Sequence, residues 1–408
     1  MRRFLLTVAV LLTLFPLSAV GADPEAGIDV IDVSGPLDAS ALEFMRSSIE
    51  LAAERGQVLA VLQIDSPAVL DGAALEALNA TVQDPPLPVA IWVGPAPAVA
   101  YGGIAQLVTD AEWRAISPGS YLGKPLPTIA GDDIAEGTIG EINAIPAEET
   151  GLDLQPTIRQ YLQDLDGETF ATADGPVVVE TLKPFEDGVT LKTVTFLQPS
   201  LGTRFFRLAV IPEAAFFFLV IGLTIVSFEF FAMGPGVAAG VASICLLLAG
   251  WGIVNLPVRW WALALAVFGW GLLTAAYQKG GVIVLTILGA LLLQIGGIWF
   301  VEGSGQIDAR WFLILPSVLV VLFFFLLAMP TVQRARYSTQ TIGRDSLIGE
   351  TGVARVGLDP DGIVEVHGAR WRATSHREAK VATGTQVVVT GVDGLFLEVD
   401  RVPTEREN

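Results

Sequence analysis

Apolar and polar positions follow three rhythms along this chain, and each rhythm marks a region. Up to about residue 205, short apolar runs alternate with amphipathic stretches. AGIDVIDVSG, QVLAVLQIDSP and PVAIWVGP are apolar runs that end at Gly or Pro, and each predicts a buried strand. Between them, DASALEFMRSSIELAAERG and AALEALNATVQDPP carry apolar positions at helical spacing. The first has Asp38 or Ser40 as N-cap and Gly56 as stop, and the second is closed by prolines. Strands alternating with helices predict parallel pairing with right-handed crossovers. Further on, WRAISPGSYLG predicts a strand and turn and TIRQYLQDLDGETF a helix. PVVVETL with VTLKTVTFL predicts a small β appendage before the membrane.

From about Leu208 to Met329 the rhythm is lost in long apolar runs. Five spans are expected, at 210–231, 234–255, 258–277, 281–301 and 311–329. Each is long enough to cross about 30 Å of hydrocarbon as a helix. Trp251, Trp260, Trp261, Trp270, Trp299 and Trp311 lie mostly near span ends, where an aromatic belt sits. Gly234-Pro235-Gly236 breaks the first long run. Glu213 and Glu229 fall near the ends of the first span and are expected at the interface; Gln294 is expected as a helix-packing contact.

The third rhythm is strict alternation over about 347–402, interrupted at DPDG, HGARW, SHREAK, TGT and VDG. Five short strands with Gly at the corners predict an all-β OB-fold barrel. Ahead of all three regions, MRRFLLTVAVLLTLFPLSAVGADPE has two arginines, an apolar core and small residues. That is a secretory signal pattern over 1–22, with cleavage after Gly21 or Ala22. It places the domain from 23 to about 205 outside. With five spans after it, the C-terminal domain is expected in the cytoplasm. Basic residues flanking the spans do not decide orientation by themselves.

Charge and rare residues narrow the chemistry. The formal net charge is −19, which argues against nucleic acid as a partner. The barrel has six Lys/Arg against eight Asp/Glu and few aromatics to stack on bases. Cys245 is the only cysteine and lies in an apolar run, so no intramolecular disulfide or multi-cysteine zinc site is available. The only histidines are His367 and His376, expected on the barrel surface rather than as ligands. The first domain therefore cannot build a Ser-His-Asp or Cys-His site from its own residues. No cofactor and no metal are expected.

The order of parts, together with GETGVARVGLDPDGIVEVHGARWRATS, GTQVVVTGVDGLFLEV and FEFFAMGPGVAAGVASICLLLAG, resembles the NfeD family of membrane proteins. VIDVSGPLDASAL, VLAVLQIDSP, PVAIWVGP and AISPGSYLG are similar, in order, to the ClpP/crotonase-like domain of its long members. The resemblance implies a multi-pass cell-membrane protein with an α/β ClpP/crotonase-like domain at 23–205, a transmembrane block of about five helices at 208–330, and an NfeD-type barrel at 347–402. It implies serine endopeptidase activity with a Ser nucleophile and a Lys base, and a stomatin- or flotillin-type membrane partner contacted through the barrel.

The catalytic positions depart from the family pattern. Ala68 and Val69 stand where the family has Gly-Gly after its strand-end Ser/Thr-Pro, a pair that lets backbone N–H groups approach a substrate carbonyl. The nucleophile position falls on Tyr101 or Gly102, neither suited to acyl transfer. Ser66, Ser117, Ser120 and Lys124 are the substitutes available. Turn positions account for all three serines, and Lys124 lies in a turn before the family's helix. The expectation is a non-catalytic pseudo-protease scaffold acting with a stomatin/flotillin-type partner and the lipid bilayer. Gly-rich spans suit helix packing within one chain or in a homo-oligomer. The alternatives are a Ser/Lys endopeptidase for hydrophobic segments, recruiting Ser66 or Ser117, and small-molecule binding in the first domain.

Overall fold

The computed structural model describes residues 26–123, 125–133, 143–185, 188–232, 236–303, 305–331, 344–375 and 380–402. The signal segment at 1–22 lies outside them, as do Lys124 and His376. Two compact units result, the second beginning at Thr331.

In the N-terminal domain the continuous apolar runs become strands buried on both faces, as parallel sheets require. β1 (Ile28–Ser34), β2 (Leu59–Asp65), β3 (Val89–Val93), β5 (Arg114–Ile116), β8 (Asp153–Leu154) and β13 (Val194–Leu197) form one sheet. Its order is β13-β1-β2-β3-β5-β8 and every pair is parallel. β4 (Val99–Tyr101), β6 (Tyr121–Gly123) and β7 (Ala144–Pro146) form a second, three-stranded sheet. α1 (Ala39–Glu54) starts at Asp38, whose carboxylate accepts from the Ala41 N–H at 3.2 Å. It ends at Arg55, with Gly56 following at φ +68°. α1, α2 (Gly72–Gln83) and α3 (Gly103–Asp110) bury their apolar sides against one face of the main sheet. α4 (Ile158–Asp164) and the hairpin β9 (Thr169–Phe170) with β10 (Val177–Val178) cover the other.

The expected β appendage holds only in part. β11 (Leu182–Phe185) and β12 (Gly188–Leu191) form a separate hairpin. VTFL, however, is β13, and it joins the main sheet as the edge strand beside β1.

α5 (Leu201–Arg207) leads into the apolar block. Arg207 is nearly buried there; it donates to the carbonyls of Ser34 and Pro36 and lies 3.4 Å from the Asp38 carboxylate. Burial lowers its pKa, and Asp38 opposes that. Helices follow at α6 (Pro212–Ala232), α7 (Val237–Asn255), α8 (Trp260–Gln278), α9 (Ile283–Ile298) and α10 (Trp311–Phe323), the last continued by a π-helical turn at Phe324–Ala328. Among the described residues four helices are long and apolar enough to span a membrane: α6, α7, α8 and the helix from Trp311 to Thr331. The segment expected at 281–301 differs. α9 has 16 residues, about 24 Å of helix, because Gly280 and Gly281 at positive φ delay its start and Trp299 ends it. Trp260, Trp261, Trp299 and Trp311 are exposed on the block, as a belt at its rim would be.

The block packs through glycine. A Cβ on Gly269 of α8 would come 2.8 Å from the Gly289 carbonyl of α9, and the reverse distance is the same. Glu213 accepts from the Arg310 N–H at 3.0 Å and Glu229 from the Gly236 N–H at 2.7 Å. Both acids thus satisfy backbone groups at helix ends. Gln294 reaches the Trp311 carbonyl at 3.3 Å, a contact between α9 and α10.

The second unit is a closed barrel of β14 (Thr351–Val356), β15 (Asp361–Val366), β16 (Ala369–Ser375), β17 (Gln386–Asp393) and β18 (Phe396–Arg401). The order β14-β15-β16-β18-β17 closes through β14–β17, with β16–β18 the one parallel pair. That is OB-type topology. Val364, Val366, Val387, Leu397 and Val399 fill its interior. His367 is exposed, at φ +52° in the β15–β16 turn, with Nε2 3.1 Å from a Glu350 carboxylate oxygen.

Candidate functional site

The stretch VAYGGIAQL folds as strand, single-residue turn and helix: β4, Gly102, then α3. Gly102 has φ +67° and ψ −142°, which only glycine takes up readily. A sharp strand-to-helix turn of this kind presents the nucleophile in α/β-hydrolases. Here the residue at the turn, Gly102, has no side chain. The turn falls at Gly102 and not at Tyr101, whose N–H donates to the Ser66 carbonyl at 3.0 Å. Burial, with Tyr121 nearby, raises the Tyr101 pKa.

The three serines are buried and engaged. Ser66 Oγ donates to the Ala68 carbonyl at 3.0 Å, and the Ser66 N–H donates to Val99. Ser120 Oγ accepts from the Ala98 N–H at 3.1 Å. The Ser117 N–H donates to the Val93 carbonyl, and the Ser120 N–H closes a turn onto the Ser117 carbonyl at 3.0 Å. Asp65, beside Ser66, accepts from the Val99 N–H at 3.0 Å; burial raises its pKa. Among the described residues no group of three His, Cys, Asp or Glu could hold a metal ion.

Ala68 and Val69 are fully buried. The Ala68 carbonyl accepts from Leu37 at 2.9 Å, and the Val69 carbonyl accepts from Ala130 at 2.8 Å. Ala68 packs with Ala130 in the same apolar cluster as Phe216, Leu219 and Phe300 of the helical block. The strand-end loop thus meets the helical block through Ala68 and Leu70, while Val69 stays in the N-terminal core.

Opposite that loop, the first N–H of α3, on Gly103, donates to the Thr128 carbonyl at 2.7 Å. Gln106 Nε2 reaches the Pro125 carbonyl at 3.1 Å and Thr128 Oγ1 at 3.2 Å. Gln306, in the connector between α9 and α10, donates to the Pro127 carbonyl at 2.9 Å and is buried. A 250 Å³ cavity remains, with Thr128 and Ile129 forming one wall against Gly72, Leu75, Gly103 and Gln106. Thr128, Ala130 and Gln306 do not stand out in the sequence. The one available signal is a lone Gln in a short polar connector, GSGQID, between two apolar runs.

Two family models match the second half of the chain. Residues 213–329 match the NfeD integral membrane domain, and residues 344–401 match the NfeD-like C-terminal, partner-binding domain. Residues 213–329 and 344–401 thus carry NfeD domains. A curated relative, the membrane-bound protease PH1510 of Pyrococcus horikoshii, is 24% identical over 446 aligned residues, covering 98% of each chain. Among solved structures, the C-terminal domain of stomatin operon partner protein 1510-C from Pyrococcus horikoshii is 35% identical, with TM-score 0.15, over 15% of this chain and 98% of that one. The 1510-N membrane protease specific for a stomatin homolog from Pyrococcus horikoshii is 18% identical, with TM-score 0.34, over 43% of this chain and 94% of that one. The NfeD membrane model begins at Glu213, one residue into α6, and the C-terminal model spans the whole barrel.

Proposed function

We propose that this chain is a non-catalytic NfeD membrane scaffold, a pseudo-protease. Its N-terminal α/β domain, exported on the reading of residues 1–22 as a signal segment, and its barrel are binding modules on a helical block. The observation that carries the reading is Gly102. The turn that would hold a nucleophile has no side chain, while Ser66, Ser117 and Ser120 are buried in backbone contacts. Acyl transfer needs nucleophile, base and oxyanion donors placed together. The loop that would supply oxyanion donors instead packs on the helices. The partner-binding description of the C-terminal family model, with the partnership the family resemblance implies, supports a stomatin- or flotillin-type membrane protein as the barrel's ligand.

The competing reading is a Ser/Lys endopeptidase, favoured by the full-length similarity to a relative named as a membrane-bound protease. A cleavage assay on purified full-length protein with a panel of apolar peptides separates the two. Ser66→Ala, Ser117→Ala, Ser120→Ala and Lys124→Ala serve as controls. The expected outcome is no cleavage above buffer in folded protein. Cleavage abolished by one of the four substitutions would replace the scaffold reading with a relocated peptidase.

A further inference from the structure

The cleft between the Gly102 turn and the Ala68–Val69 loop is filled by the chain itself. We propose that residues 125–130 are a built-in peptide occupant of this cleft and a latch joining the N-terminal domain to the helical block. The cleft is thus a binding site for a short apolar peptide backbone whose resident is supplied in cis.

The hydrogen bonding is that of a bound peptide. One carbonyl, on Thr128, takes the free N–H at the start of α3; two residues on, the Ala130 N–H gives to the Val69 carbonyl on the facing loop. The Ile129 side chain packs on the N-terminal core, and Ala130 packs with Ala68 in the cluster shared with the helices. The fit depends on glycine. A Cβ on Gly103 would lie 3.0 Å from the Thr128 carbonyl oxygen and 2.3 Å from Leu75 Cδ2. A Cβ on Gly102 would lie 3.1 Å from both the Thr128 oxygen and Gln306 Oε1. A Cβ on Gly131 would lie 2.3 Å from Pro257, at the foot of α8.

Gln306 makes the occupant a latch. Its amide holds the Pro127 carbonyl across 179 residues of sequence, from the connector between α9 and α10. A peptide arriving from outside can reach the Gly103 N–H and the Val69 carbonyl only after residues 127–130 leave. Their departure breaks the Gln306 and Ala130 contacts to the helical block. Peptide binding and docking of the domain onto the helices are therefore competing states of one equilibrium.

The proposal goes beyond the scaffold reading and does not need it. The test uses full-length protein in detergent and a fluorescent peptide of the chain's own sequence, LPTIAG. Wild type is expected to show no saturable binding. The triple variant Thr128→Gly, Ile129→Gly, Ala130→Gly, which keeps the backbone bonds but strips the occupant's side-chain anchors on the two cores and on Gln106, is expected to bind at least roughly ten-fold tighter. In parallel, hydrogen exchange is measured on Gln306→Ala. Amides of Gly103 and Ala130 are expected to lose roughly ten-fold protection while Leu62, deep in β2, is unchanged. Wild type binding the peptide as tightly as the triple variant would overturn the proposal. So would unchanged exchange at Gly103 and Ala130 in Gln306→Ala, a readout that holds even where the triple variant fails to fold. Peptide bound by the variant and left intact supports both readings; peptide bound and cut sinks the scaffold reading alone.

Discussion

At the scale of single residues, a buried acid gives the N-terminal domain a pH dependence. Asp29 is fully buried in β1; Gln57 Nε2 donates to its Oδ1 at 3.1 Å, and burial raises its pKa against the opposing pull of Arg55. A folded pKa above the unfolded value of about 3.9 means that the folded state holds the proton more tightly. The stabilisation is complete below the unfolded pKa and is lost as pH rises through the folded one. Asp29→Asn cannot titrate. The variant is expected to melt higher than wild type at pH 8, with the gap shrinking as pH falls through the folded pKa of Asp29. Thermal unfolding of the pair across a descending pH series checks this; a gap that stays constant, or widens as pH falls, would contradict it. The same scale shows the limits of sequence at the site. That Ala68 and Val69 carry side chains and that Gly102 carries none is legible from residue identity. That Thr128 and Ala130 fill the space is not, because their segment has no periodicity and its partner Gln306 is 179 residues away.

At the scale of elements, helix packing in the apolar block depends on which glycines face a neighbour. GVAAGVAS and GALLLQIGG look equally suited to close packing as sequence. They are not equal in the fold. A Cβ on Gly297 would lie 2.4 Å from Ile314 Cγ2 and 2.9 Å from Phe216 Cζ, where α9 meets α10 and α6. A Cβ on Gly240 of α7 meets nothing within 4 Å. Gly297→Ala is expected to cost about 1–3 kcal/mol by overpacking. Gly240→Ala is expected to be neutral or stabilising by up to about 1 kcal/mol through helix propensity. Unfolding of both variants in the same detergent measures the difference, and equal effects would mean that glycine acts here through propensity alone. Strand and helix existence was legible where the rhythm is strong: β1, β2, β3, α1, and the five barrel strands with their Gly corners. The place of β13 was not. Its partner β1 lies about 160 residues earlier, with Ile28 opposite Val194, and local pattern carries no information on so distant a pairing. α9 was expected longer because Val282, Trp299 and Phe300 extend the apolar run, while helix length is set by backbone breaks at Gly280 and Gly281.

At the scale of the whole molecule, the chain is two compact units, and they divide the proposed work. Ala68 and Ala130 of the N-terminal domain share a core with Phe216, Phe300 and Ile314, so that domain and the helices form one unit. The barrel has a core of its own, closed on all sides by β14–β17 pairing. Removing an independent unit should leave the other intact; removing part of a shared core should not. Deletion of residues 344–401 is therefore expected to shift the melting temperature of the remainder by less than about 2 °C. The same deletion is expected to abolish co-purification of the proposed stomatin-type partner. The two readouts act together. Lost capture with an unchanged melting temperature assigns the contact to the barrel, whereas lost capture with a large drop would mean that the deletion damaged the first unit. Retained capture with unchanged melting would move the partner's contact onto the N-terminal domain or the helices. The self-occupied cleft would then be the first surface there to test, because a partner peptide competing with residues 125–130 would also loosen the latch at Gln306.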